Sequence, residues 1–392
     1  MGNSADVIVL GLGAMGSAAC YQLAKRGASV IGIDQFSPPH MSGSTHGDTR
    51  LTRQAIGEGE AYTPLALRSY QLWDEIEKQS GQQLLTITGG VIIAEPQGFS
   101  QAHGNVDFMS NTLRSAQKYG IAHERLTNAD IQARYPQFKV KGHEVGYFEY
   151  NAGFLRPERC VEAQLELAKR DGADIHTDEK VLSFTQHTDG VTVATDKGEY
   201  HAQKLIISAG SWLSELLEPQ YEGLFKVYRQ VLYWFDIADN YLSFAPENFP
   251  VFIWDFGTGN DEAMYGFPAI DGAQGGLKVA REEYQVTTTP ESVERTVSDA
   301  ETDVMFERCI EPHLIGVKRE CLKATTCLYT VTPDSGFVID VHPQHKDVII
   351  ASPCSGHGFK HSAAIGEALA QMATGGKSSI DMSAFSLGRF RR

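Results

Sequence analysis

The chain has 392 residues, is 42% hydrophobic and 21% charged, and carries a formal net charge of −15. That length exceeds what one core ordinarily serves, so at least two folding units are expected, in a composition that excludes a disordered chain. The acidity excludes nucleic acid and anionic membranes as long-range partners, no apolar run approaches the ~20 residues that span a bilayer, and the lack of a basic leader points to the cytoplasm.

In chain order, DVIVL at 6–10 predicts a strand, GLGAMG a turn, and SAACYQLAKRG a helix stopped at Gly27. ASVIGID supplies a second strand ending in Asp34, completing a βαβ unit. The polar stretch STHGDTRLTRQ, 44–54, follows as a loop. In TPLALRSYQLWDEIEKQSG, Leu65, Leu67, Tyr70, Leu72, Trp73 and Ile76 recur at helical steps. LLTITGGVIIAEP alternates like strands around a Gly-Gly turn, FMSNTLRSAQKYG is helical, and NADIQARYP is a short capped helix. KLIISAG and DVIIASP suit buried parallel strands, while SWLSELL and HSAAIGEALAQMATG are helices. From about Gln230 to Lys323 short aromatic-rich runs such as VLYWFDI and AMYGFPAI predict an antiparallel sheet. The fold class is therefore α/β. A Rossmann-like dinucleotide-binding domain (1–85, 145–220 and 322–392) is interleaved with a second domain (86–144 and 221–321) built on an antiparallel β-sheet with helices.

Gly11, Gly13 and Gly16 form a G-x-G-x-x-G fingerprint between the first strand and helix. The first glycine permits the turn, the second admits a pyrophosphate to the backbone, and the third lets helix and strand pack closely. Free N–H groups at the helix start favour phosphate, and Asp34 is placed to accept from ribose hydroxyls. This pattern does not separate FAD from NAD. The six cysteines, Cys20, Cys160, Cys309, Cys321, Cys327 and Cys354, show no CxxC pair or metal spacing, so reduced thiols and no metal site are expected.

Seven blocks, including VIVLGLGAMGSAACYQLAKRG, STHGDTRLTRQAIGEGEAYTPLALRSYQLW, YGFPAIDGAQGGLKV, TTCLYTVTPDSGFVID and SGHGFKHSAAIGEALAQ, give the chain a further character. In order and over nearly its whole length it resembles the monomeric sarcosine oxidase and N-methyltryptophan oxidase group of flavin amine oxidases. The resemblance implies FAD bonded covalently through its 8α-methyl carbon to the sulfur of Cys327, although a free cysteine is ordinarily a buried core residue. It implies that Arg53 and Lys360 bind a substrate carboxylate, with Tyr265 lining the pocket. It places His46, Thr49 and Arg50 beside the flavin, where positive charge steadies its reduced form. Lys278 matches a lysine that activates oxygen. Ser44, Val181, Gly356, His357, Gly358, Phe359 and Lys360 join the glycines, Asp34, Thr49 and Arg50 around the cofactor.

The activity implied is oxidation of a carboxylate-bearing secondary amine, such as an N-methyl amino acid, by O2. An imine forms, then formaldehyde and the amino acid, with hydrogen peroxide, in a protein expected to be a monomer. Three positions depart from the family pattern: Ile56 replaces a pocket tyrosine, Glu282 a histidine, and Thr45 the histidine before His46. Three other functions stay open: an FAD-dependent amino or imino acid dehydrogenase passing electrons to a partner, an NAD(P)-dependent dehydrogenase, and a catalytically silent flavin-containing module.

Overall fold

The computed structural model describes residues 2–95, 108–217, 221, 223–238, 240–257 and 262–390. The chain opens with β1 (Ser4–Leu10), α1 (Ala14–Lys25) and β2 (Val30–Ile33), the βαβ unit expected from the glycine pattern. These strands pair in parallel at the middle of an eight-stranded sheet. Glu199–Ile207 lies parallel to β1 on its other side, and its C-terminal end is parallel to Val348–Ser352. Asp174–His176 continues the sheet beyond β2. These parallel strands are continuous apolar runs because both faces are covered. On one face α1 packs against the helix Ser362–Gly375 so closely that a Cβ on Gly366 would stand 2.3 Å from the Cβ of Ala18.

The second sheet has nine strands. Towards one end lies its long strand Lys226–Ile237, flanked by Leu277–Ala280 and the fifteen-residue strand Val317–Val331. Period-two alternation divides the faces. Val231, Tyr233 and Phe235 enter an aromatic core with Phe138, Phe252 and Trp254, while Leu232 and Trp234 face the other way, with Ala280 and Cys327. The sheet is not wholly antiparallel as expected, because Val251–Asp255 pairs in parallel with Gly90–Ala94. The two strands flanking Gly89 also part company. Leu85–Ile87 joins a three-stranded sheet with Arg50–Thr52 and Gly153–Leu155, whereas Gly90–Ala94 joins the large sheet. The strand Val145–Glu149 belongs to the large sheet too, so that sheet draws on residues on both sides of the expected boundary at 145. The boundary at 322 falls inside Val317–Val331.

Among the described residues, no helix is long and apolar enough to cross a membrane, and no group of three or more His, Cys, Asp or Glu is gathered to hold a metal.

Candidate active site

A groove runs along the C-terminal ends of β1 and β2, the place where open parallel sheets bind ligands. It encloses about 1390 Å³, counting space open to solvent, and is lined by Gly11, Gly13, Asp34, Ser44, Arg50, Val181, Gly356, Gly358 and Phe359 among others. Gly11 has φ +82°, and a Cβ there would lie 2.6 Å from the Ser208 carbonyl oxygen. A Cβ on Gly16 would strike the Gly11 carbonyl oxygen at 1.8 Å, so this glycine serves packing rather than the groove wall. At Gly13 a Cβ would meet only Thr45 Oγ1, at 3.5 Å, which leaves the backbone open to a phosphate. The first turn of α1 has no side-chain cap and no acidic residue, so its N–H groups remain available to an anion. The Asp34 carboxylate is fixed by the Leu12 and Phe36 N–H groups at 2.7 and 2.8 Å, ready to accept from ribose hydroxyls. Open backbone, uncapped helix and oriented acid together fit a dinucleotide.

The polar loop 44–54 folds into the inner end of this groove. Its Gly47 and Asp48 N–H groups donate to Glu158 Oε1 at 2.6 and 3.1 Å, and Arg50–Thr52 is held as a strand against Gly153–Leu155. Arg50 donates to the Ser44 and Thr49 carbonyls and stands 3.5 Å from Cys327 Sγ. Lys278, carried by the large sheet, donates to the Gly47 carbonyl at 2.5 Å and to Thr49 through its carbonyl and hydroxyl at 2.8 and 3.1 Å. Burial, then the charge of Arg50, pulls Lys278 well below the usual lysine range, while Asp48 and Glu158 oppose. His46 is buried, with neither ring nitrogen hydrogen-bonded. Burial, reinforced by Arg50 and Lys278, pulls it to about 3. It is therefore neutral at ordinary pH, and the positive charge expected of this trio belongs to Arg50. His46, Thr49, Lys278 and Cys327 line neither cavity and stand one layer behind Arg50.

A second cavity of about 960 Å³ adjoins the groove, and Arg50, Tyr329, Gly356 and Phe359 line both. It holds Arg53, Lys360, Tyr265, Glu58, Glu282 and Tyr284. Arg53 and Lys360 come from loops 307 positions apart in sequence and meet on Glu58: Arg53 Nη2 lies 2.5 Å from Oε2 and Lys360 Nζ 3.4 Å from Oε1. Lys360 also donates to the His357 carbonyl at 2.8 Å, and Arg53 lies over the Phe108 ring. Burial pulls Lys360 down to about 8 against the opposing charge of Glu58. The Arg53 loop is anchored by Glu149, which accepts from the Gln54 and Ala55 N–H groups. Tyr265 and Tyr329 hydroxyls are 3.3 Å apart, and burial pushes Tyr265 up to about 12, so it stays a neutral phenol. His357 stacks on Phe337 and its Nε2 lies 3.2 Å from the Ser335 carbonyl.

Ile56 is fully buried in the first domain's core and does not line the cavity, unlike Glu282. Sequence reasoning passed over Glu58, Tyr284, Glu149 and Glu158. Glu58 alone left a local trace, a carboxylate between two glycines five residues after Arg53.

A βαβ groove for a dinucleotide, opening onto a cavity with a cationic pair, defines a nucleotide-dependent oxidoreductase. A family model described as FAD dependent oxidoreductase matches residues 6–372. The chain is 42% identical over 381 residues to the monomeric sarcosine oxidase of Streptomyces avermitilis, covering 96% of this chain and 95% of that protein. It is 35% identical over 390 residues to the N-methyl-L-tryptophan oxidase of Escherichia coli O157:H7, covering 98% and 99%. A solved structure of NikD, an unusual amino acid oxidase of nikkomycin biosynthesis, superposes with a TM-score of 0.83 at 23% identity, covering 98% of this chain and 97% of that one. The chain belongs to the FAD-dependent oxidoreductases, in the monomeric sarcosine oxidase and N-methyltryptophan oxidase group, whose members act on CH–NH donors.

Proposed function

We propose that this enzyme oxidises an N-methyl amino acid, or a closely related carboxylate-bearing secondary amine, at the expense of O2. The observation that carries this reading is the second cavity, which shares a wall with the dinucleotide groove and brings Arg53 and Lys360 together on Glu58. A guanidinium fork and an ammonium point charge hold a carboxylate and fix the orientation of the amine behind it. Bound FAD supplies an acceptor for the hydride equivalent leaving the amine's C–H bond and returns the two electrons to oxygen. Loss of that pair from the N-methyl carbon and of the N–H proton leaves a CH2=N bond, and water converts this N-methylene imine to formaldehyde and the free amino acid. Tyr265 and Tyr329, both neutral, close the cavity around the reacting carbon. Lys278, in its protonated form, donates to the Gly47 and Thr49 oxygens behind the Arg50 wall and there offsets the negative charge that develops on oxygen as it becomes hydrogen peroxide.

Cys327 is proposed as the covalent attachment point, 8α-S-cysteinyl. Its sulfur lies 3.5 Å from a guanidinium nitrogen of Arg50, which lines both cavities. The enzyme is further read as a cytoplasmic monomer. The test is peroxide release from the purified yellow protein with a panel of N-methyl amino acids, together with intact mass. Turnover with peroxide and a mass one FAD above the sequence are expected. Flavin reduction without peroxide would assign the dehydrogenase that feeds a partner, and a label on another cysteine would overturn Cys327.

A further inference from the structure

The cavity carries two carboxylates, Glu58, which meets Arg53 and Lys360, and Glu282, which meets Tyr284. Glu58 pairs with both of its cations, and Arg50 is a third cation on the cavity wall. Glu282 is a further negative charge in the same cavity, and its field reaches Lys360, Tyr265 and Tyr329. The local chain is built to aim it there. Gln230 clamps the backbone of Glu283 from both sides, accepting from its N–H at 2.9 Å and donating to its carbonyl at 2.7 Å. On either side of that fixed residue the side chains alternate. Arg281 and Glu283 pair with each other at 2.5 Å and stay off the cavity wall, while Glu282 and Tyr284 both line it. The Tyr284 hydroxyl donates to Glu282 Oε2 at 2.8 Å, and its ring is set edge-on against Tyr228. A carboxylate oriented by a phenol, with aromatic faces from Phe267 and Tyr265 nearby, suits a cation at the end of an apolar stem.

We propose that Glu282 and Tyr284 form a side-chain subsite that selects amino acid substrates whose side chain ends in an ammonium or guanidinium group. This assignment rests on the reading of the cavity as the amino acid site. It predicts that an anionic side chain is rejected by the same carboxylate that recruits a cationic one, since specificity is a difference between partners.

The experiment compares Nα-methyl-lysine, N-methyl-norleucine and N-methyl-glutamate as substrates of the flavin-loaded enzyme and of its Glu282→Gln and Tyr284→Phe variants. The readouts are kcat/KM from peroxide release and, for the unmethylated lysine, norleucine and glutamate, dissociation constants from perturbation of the flavin absorption. The wild type should favour the cationic member over the neutral one by about ten- to a hundredfold, the range of a hydrogen bond to a charged group. Glu282→Gln should collapse that ratio towards one and narrow the gap to the anionic member. Tyr284→Phe should reduce the ratio by less. An unchanged ratio in Glu282→Gln, or a wild type without the preference, overturns the subsite. An equal loss for lysine and norleucine does so too, because it assigns Glu282 to the reacting amine or to the fold. Failure of the underlying reading looks different: no N-methyl compound of any charge reduces the flavin. In that case the three dissociation constants still decide, and equal values reject the cation subsite.

Discussion

Glu58→Gln is the sharpest probe of the cationic pair. The carboxylate touches Arg53 at 2.5 Å and Lys360 at 3.4 Å, so a ligand carboxylate on the same two cations must tolerate a buried negative neighbour. At an effective dielectric of about 20, two such charges about 5 Å apart repel by roughly 3 kcal/mol. Relaxation and residual water reduce this, so the substitution should tighten binding of a simple carboxylate inhibitor by about 1–2 kcal/mol, roughly five- to thirtyfold. The Ala55 carbonyl still holds Arg53 in place. The ligand-free protein should behave oppositely, because two buried cations lose their anion; breaking a buried pair commonly costs about 3–5 kcal/mol. Its melting temperature should fall, and the inhibitor should restore a larger share than it adds to the wild type. The assay is a titration of flavin absorbance with the inhibitor, paired with thermal unfolding at saturating ligand. Weaker or unchanged affinity, at equal flavin content, would show that Arg53 and Lys360 do not receive the carboxylate.

Because Lys360 is pulled down to about 8, its charged form is present below that pH and lost above it, so inhibitor affinity should decline as pH rises through 8; a flat profile from pH 6 to 10 refutes this. In Glu58→Gln the decline should begin at lower pH, since Glu58 supports the proton. Lys278→Met should slow flavin reoxidation about a hundred- to thousandfold in stopped flow while sparing reduction by substrate; equal slowing of both half-reactions would assign the lysine to structure. Gly358→Ala places a Cβ 1.6 Å from the Pro353 carbonyl oxygen and should abolish flavin loading, whereas Gly27→Ala, with no atom within 4 Å but φ +80°, should cost only stability, read by flavin content and melting temperature.

The parts of this molecule legible in the sequence are those that backbone geometry dictates locally. Gly11 and Gly16 are set by a turn and a helix packed within a few residues, and Asp34 closes the same unit. Helix limits at Gly81 and Gly376 follow from left-handed caps at those glycines. Illegible were the carboxylates that organise the site from a distance. Glu58 reaches Lys360 across 302 positions, Glu158 reaches Gly47 across 111, and Glu149 reaches Gln54 across 95. No periodicity encodes such pairings. The destination of the strands around Gly89 was hidden for a related reason: alternation reveals a strand but not the partner it will find. The burial of Ile56 in the core is likewise set by its neighbours in space, not in sequence.

The shared wall of Arg50, Tyr329, Gly356 and Phe359 divides responsibility within the second cavity. The end nearest the groove is drawn from segments that also serve the cofactor, and any change there disturbs both. The opposite side, with Ile253, Met264, Glu282 and Tyr284, is carried by strands and loops of the large sheet that make no part of the groove. Such modularity lets one redox apparatus be re-aimed by exchanging a few residues on a stiff panel. Relatives named for amines as different in bulk as sarcosine and N-methyl-L-tryptophan are what that arrangement would yield over time. For an engineer, the same partition marks the panel as the place to begin a library and the wall as the place to leave alone.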